Sequence, residues 1–134
     1  MADGSSRAER PLSPHLQIYR PLFTMMMSIV HRVTGVGLYF GMVLFVWWLL
    51  AAASNTPTAF NTFSGIAGSF IGLVVLLGFT WALLHHALGG LRHFMWDFIR
   101  GFEPRERELL AKATLAGSIG LTLVLWVIGI ALKG

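Results

Sequence analysis

The chain consists of long apolar stretches separated by short charged ones. No formal charge occurs within residues 33–91 or within residues 113–132. A helix needs about 20 apolar residues to cross ~30 Å of hydrocarbon, so the first stretch has room for two crossings and the second for one. The polar, turn-forming cluster Ser54-Asn55-Thr56-Pro57-Thr58 interrupts the first stretch. The pattern predicts three transmembrane helices, at about 27–53, 63–90 and 110–132.

The predicted fold class is an all-α integral membrane protein whose three transmembrane helices form part of a heteromeric helix bundle. Helices satisfy their backbone polar groups within one segment, as lipid requires, and the chain lacks the alternation of a membrane β-barrel. Closely spaced small residues favour packing against further helices. These pairs are Gly37 with Gly41, Gly68 with Gly72, and Ala116 with Gly120. We expect a cytoplasmic segment, 1–26, followed by a three-helix anchor, 27–132.

Positive residues predict the orientation of the spans, because cytoplasmic loops are enriched in Lys and Arg. The connection between the first two spans holds no positive residue. The residues before and at the start of the first span, and those of the second connection, hold most of them: Arg7, Arg10, Arg20 and Arg32, then Arg92, Arg100, Arg105, Arg107 and Lys112. We therefore expect a cytoplasmic N-terminus and a periplasmic C-terminus.

Composition narrows the function classes. Of 134 residues, 55% are hydrophobic and 12% are charged, which excludes a soluble globular enzyme and a disordered chain. The absence of Cys excludes iron–sulfur clusters, thiolate zinc sites and c-type haem from this chain. The net charge of +4 lies at the span ends, so we expect no nucleic-acid partner. The N-terminus has no apolar core near its start and carries Asp3 and Glu9, which argues against a signal or transit peptide and favours a bacterial inner membrane.

Polar side chains gather at the cytoplasmic ends of the first two spans, where each is costly unless it has a function. In the first span Ser28, His31 and Arg32 share one helix face, because they are three or four residues apart. The second span ends with His85, His86, Arg92 and His93. A buried imidazole with arginines nearer the surface suits a b-type haem, whose anionic propionates the arginines can pair with.

Spacing leaves several alternatives open. Both His85 and His86 have a glycine four residues later, so either could be the iron ligand. His86, Gly90 and His93 lie on one stripe, and we expect Gly89 and Gly90 to leave room for a macrocycle. Arg32 and Arg92 could instead be topology markers that snorkel, and Ser28 could bond its own helix. Only one deep ligand is found, so a second imidazole would have to come from another chain.

Three motifs resemble the cytochrome b556 subunits of succinate dehydrogenase, small membrane anchors of respiratory complex II. The first runs from Arg10-Pro11 to Tyr19, and the second is Ser28-Ile29-Val30-His31-Arg32-Val33-Thr34-Gly35. The third is His86-x-x-x-Gly90-Leu91-Arg92-His93, followed by Trp96-Asp97. The resemblance covers residues 10 to about 132.

The resemblance implies specific roles for these residues. His86 matches the axial ligand of haem b, whose second ligand comes from a second small membrane anchor subunit. Ser28 and Arg32 match residues that line a ubiquinone site. His31 and Arg32 match residues near the haem propionates, and His93 has a supporting role in that region. The resemblance assigns no role to His85.

The resemblance also implies a place in an enzyme complex. Electrons from succinate would pass through a flavoprotein subunit and an iron–sulfur subunit to ubiquinone, so this chain would carry no catalytic residue of the dehydrogenation. Two alternatives remain open: a haem-free structural anchor, and the anchor of a fumarate reductase. A small transporter or channel subunit fits less well, because residues 36–80 offer no acidic, basic or histidine side chain near mid-span.

Overall fold

The computed structural model describes residues 18–54 and 57–133. Four helices follow one another: α1 (Phe23–Ala53), α2 (Pro57–Gly68), α3 (Phe70–Asp97) and α4 (Pro104–Lys133). No strand occurs within these described ranges. Most of the first sequence motif, from Arg10 to Gln17, lies outside the described residues, as does most of the predicted N-terminal segment.

Three of the helices, α1, α3 and α4, are long and apolar enough to cross a membrane. Their most apolar windows have mean hydropathies of 2.0, 1.8 and 2.3, respectively. The predicted all-α class with three long apolar helices is therefore confirmed.

The helix boundaries differ from the predicted spans at the second crossing. The expected span at about 63–90 runs across a break, because Ser69 has extended backbone angles and its side chain accepts a hydrogen bond from Gly72 N. This serine caps the start of α3, as short polar side chains commonly do. The residues before it form α2, a separate helix of 12 residues that packs against α1 and α3. At its other end α3 continues past Gly90 to Asp97.

The interior of the bundle is more polar than its outside. Only two hydrophobic residues, Met27 and Ala111, are buried among the described residues. The other buried side chains are polar: Thr34, His85, Arg92, Thr114, Ser118 and Thr122. The large apolar side chains point outwards, which suits a surface covered by lipid or by further helices.

Close contact between α1 and α3 depends on small residues. A Cβ atom at Gly41 would clash with the ring of Phe79, so this glycine lets α1 and α3 approach each other. Gly37, its predicted partner in a small-residue pair, has nothing within 4 Å of a Cβ position. Gly41 therefore lies in the contact between α1 and α3, whereas Gly37 lies on the outer surface of α1.

We predict that Gly41→Ala destabilises the protein by about 1–3 kcal/mol, the usual cost of overpacking. Gly37→Ala is the matched control, and it should be neutral or slightly stabilising because alanine is the better helix former. Thermal denaturation of the detergent-solubilised protein measures both. Equal stability of the two variants would contradict the packing described for Gly41.

Candidate functional site

A cavity of about 390 Å³ opens where α1 begins, α3 ends and α4 begins. We call it the basic cavity. Its lining residues are Thr24, Ser28, His31, Arg32, Arg92, His93, Trp96 and Arg107. The helical spacing of Ser28, His31 and Arg32 turns all three towards it, as the sequence predicted for one helix face. The structure thus brings four of the five predicted site residues to one cavity, and the fifth, His86, lies directly behind His31.

The charged side chains that line the basic cavity are all positive. Arginines from three helices line it, together with two histidines, and no acidic residue of the described ranges is among the lining side chains. Arg92 is only 6% exposed, and its Nε atom has no hydrogen-bond partner among the described residues. Its guanidinium carbon lies 5.3 Å from the centre of the Trp96 ring. A buried cation without a counter-ion is costly, so the cavity is chemically suited to an anionic group.

Two histidines join α1 to α3 beside the cavity. The rings of His31 and His86 are stacked, with their centres 3.9 Å apart and their planes 13° apart. Each ring rests against a glycine of the opposite helix. A Cβ at Gly89 would clash with the ring of His31, and a Cβ at Gly35 would lie 2.9 Å from His86 Cε1.

This packing corrects one expectation from the sequence. Gly89 and Gly90 were both expected to leave room for a macrocycle, but the space at Gly89 is filled by the ring of His31. At Gly90, no atom of the described residues lies within 4 Å of a Cβ position. Open space therefore lies only on the Gly90 side, which is the stripe shared with His86 and His93.

Hydrogen bonds fix the tautomer of His86. Its Nδ1 atom lies 3.0 Å from the carbonyl oxygen of His31. Because a carbonyl oxygen only accepts, Nδ1 must carry the proton and donate it. The buried Thr34 hydroxyl donates to the same carbonyl oxygen at 2.9 Å and lies 3.4 Å from His86 Nδ1. When the ring is neutral, the Nε2 atom of His86 therefore keeps a lone pair, which is the form of imidazole that binds a metal.

The neighbouring His85 faces a different helix. Its side chain is 1% exposed, and its Nδ1 atom lies 3.2 Å from Ser118 Oγ on α4. Its ring centre lies 5.2 Å from that of Trp81. His85 therefore connects α3 to α4 within the interior, away from His31.

The sequence pattern did not identify three residues of this region: Thr24, Thr34 and Arg107. Thr34 was not singled out, although its position three residues after His31 places it on the same face. Arg107 was counted only as an orientation charge, because its approach to the cavity depends on how α4 packs. Trp96 lies beneath Arg92, and its Nε1 donates to Gly101 O at 3.4 Å.

The basic cavity offers few metal ligands. No group of three or more His, Asp or Glu side chains within the described ranges could hold a metal ion. His86 can therefore supply one ligand to a metal that is otherwise held by a prosthetic group or by another chain.

Comparisons with known proteins match nearly the whole chain. The family model of the succinate dehydrogenase/fumarate reductase transmembrane subunit matches residues 6–125. The succinate dehydrogenase cytochrome b556 subunit of Paracoccus denitrificans is 42% identical over 124 residues, covering 92% of this chain and 94% of that protein. The corresponding subunit of Rickettsia typhi is 37% identical and covers 89% and 92%. The mitochondrial cytochrome b560 subunit of Sus scrofa is 32% identical and covers 85% and 70%.

We predict that Ser118→Ala lowers the free energy of unfolding by about 1 kcal/mol, because His85 loses its hydrogen-bond partner in α4 inside the membrane. The matched control is Ser64→Ala in α2, which lies away from the contact between α3 and α4. Equilibrium unfolding of the detergent-solubilised protein measures the difference. An unchanged stability in Ser118→Ala would indicate that the contact between His85 and Ser118 contributes nothing.

Proposed function

The chain belongs to the succinate dehydrogenase/fumarate reductase transmembrane subunit family, and on this basis we propose that it is the membrane anchor of a succinate:quinone oxidoreductase that binds haem b and ubiquinone. It would pass electrons from the iron–sulfur subunit to ubiquinone and perform no dehydrogenation itself. The observation that carries this proposal is the hydrogen bond from His86 Nδ1 to the His31 carbonyl, which leaves Nε2 free beside a basic cavity.

The residues present fit a haem b group. His86 supplies an imidazole whose second nitrogen is already engaged by a backbone carbonyl, the arrangement that most metal-binding histidines have. The open side of Gly90 leaves space on the same stripe. His31, Arg32 and His93 line the basic cavity, and their charge and hydrogen-bond donors suit the anionic propionates.

Haem b would supply a site that accepts and returns single electrons. The chain's own contribution is to orient the ligand nitrogen and to surround the propionate end with positive charge. Because this chain offers one iron ligand, we propose that the second small membrane anchor subunit provides the other.

Ubiquinone would bind in the basic cavity next to Ser28 and Arg32. The volume of about 390 Å³ lies within the usual range for small-molecule sites. The Ser28 hydroxyl and the Arg32 guanidinium can donate hydrogen bonds to a quinone carbonyl oxygen. These donors stabilise the negative charge that develops on that oxygen as the quinone takes up electrons, before protonation gives the quinol.

The family also supports the remaining assignments. As a multi-pass membrane protein of this family, the chain would assemble with an iron–sulfur subunit, a flavoprotein subunit and a second anchor. Relatives from Paracoccus and Rickettsia support a bacterial inner membrane. We propose that the basic cavity lies at the cytoplasmic side, where electrons arrive, and that the C-terminus of α4 lies at the periplasmic side.

We predict that His86→Ala abolishes the b-type absorption band of the purified complex, because the iron loses one of its two imidazoles. The matched control is His85→Gln, which removes the neighbouring imidazole but keeps a side chain able to bond Ser118. This control should retain the band. A reduced-minus-oxidised difference spectrum of each assembled complex measures the effect.

The same spectra test the alternative of a haem-free structural anchor. An assembled native complex without any b-type band would support that alternative. Loss of the band in His85→Gln and its retention in His86→Ala would contradict the assignment of His86.

We predict that Arg32→Ala lowers ubiquinone reductase activity at least tenfold, because it removes a charged hydrogen-bond donor from the quinone site. Succinate oxidation with a soluble artificial acceptor should change little, since it bypasses the anchor. Arg105→Ala is the control, because Arg105 does not line the cavity. Equal losses in both assays would point to faulty assembly rather than to a quinone site.

A further inference from the structure

Arg107 reaches the basic cavity from a helix to which neither the motifs nor the proposed function assigns a role. α4 begins at Pro104, and its first turn is closed by a hydrogen bond of 2.9 Å from Arg107 N to the carbonyl oxygen of Glu103. This bond places Arg107 one turn into the helix. From there its side chain lines the cavity together with those of Arg32 and Arg92.

The turn before α4 holds that helix start in position. Ile99 and Gly101 both have left-handed backbone angles, with φ of 57° and 81°. The Gly101 carbonyl accepts the hydrogen bond of Trp96, and a Cβ on Gly101 would lie 2.8 Å from Leu110 Cδ1. The approach of Arg107 to the cavity is therefore set by packed contacts between α3, the turn and α4.

No acidic side chain within the described ranges is paired with an arginine of the cavity. Glu108 pairs with Lys112, at 2.8 Å between Oε1 and Nζ. That is the one ion pair within the described ranges, so neither Arg107 nor Arg92 has an acidic partner there. Arg92 is also more than nine-tenths buried with an unpartnered Nε atom, and it lines the same cavity. The buried guanidinium of Arg92 has no counter-charge within the described ranges, and the exposed side chain of Arg107 lies at the same cavity. A buried, uncompensated cation beside a second guanidinium indicates an occupant that brings negative charge.

We propose that Arg107 is a ligand-binding residue of the basic cavity, where it and Arg92 together hold an anionic oxygen of the occupant. This inference rests on the proposed function, which it extends from α1 and α3 to α4. Two sources share the required chemistry: a haem propionate, and a ubiquinone oxygen that becomes negative during reduction. Arginine suits both, because its planar fork can donate two hydrogen bonds to one acceptor group.

The test compares Arg107→Gln with Arg105→Gln in the assembled complex. Arg105 lies in the same first turn and does not line the cavity, so its replacement removes the same charge without the contact. One arm measures KM and kcat for a short-chain ubiquinone. The other measures the haem midpoint potential by optical redox titration without added quinone, and the rate of haem loss to a haem-binding acceptor protein.

If the occupant is ubiquinone, Arg107→Gln should lower kcat/KM for the quinone about tenfold, the size expected for one charged hydrogen bond. If it is a propionate, the haem midpoint potential should fall, because a nearby positive charge favours the reduced iron, and haem should be lost faster. Either result supports the inference and identifies the source. Arg107→Gln values equal to those of Arg105→Gln in both arms would overturn it.

If Arg107→Gln does not assemble, the comparison of Arg107→Lys with Arg105→Lys replaces it. Lysine keeps the positive charge but cannot donate two parallel hydrogen bonds as a guanidinium does, so a smaller effect in the same direction is expected. Equal values for the two lysine variants would overturn the inference. Failure of the proposed function has a different signature. In that case the native complex lacks a b-type band, or Arg32→Ala has no specific quinone defect, whatever Arg107 does.

Discussion

One hydrogen bond organises the functional end of this protein, from the His86 ring on α3 to the backbone carbonyl of His31 on α1. The bond holds the two imidazoles in a stack, and the stack fits only because Gly35 and Gly89 leave space on the facing helices. It also determines which nitrogen of His86 carries the proton. Helix packing and the chemistry of the candidate iron ligand therefore depend on the same contact.

The distribution of polarity follows from a membrane setting. Lipid offers no hydrogen bonds, so polar side chains gain most by facing inwards and pairing with one another. The hydrogen bond between His85 and Ser118 is an example of such inward pairing, at the contact between α3 and α4. Arg92 departs from the pattern, because it is buried and its Nε atom has no hydrogen-bond partner among the described residues. Arg92 lies at the basic cavity, where a bound anionic group can supply the hydrogen-bond acceptor and the negative charge that the described residues do not.

The sequence predicted the three long helices and the grouping of polar side chains at one level, because both follow from charge spacing and helical periodicity. It did not predict the break at Ser69, because the capping hydrogen bond from Gly72 forms within an uncharged stretch that has no strong turn signal. Spacing could not separate His85 from His86, because the answer depends on which side α1 and α4 pack against α3. The approach of Arg107 could not be foreseen either, since it follows from two left-handed residues in a short turn.

His31 contributes to the site through two chemically separate parts. Its backbone carbonyl accepts the bond that orients His86, while its side chain lines the cavity. Every amino acid has the same carbonyl, so changes at position 31 can alter the chemistry of the cavity while the acceptor for the neighbouring ring persists. A substitution at position 31 can therefore change how the cavity binds its occupant and still preserve the orientation of the His86 ring.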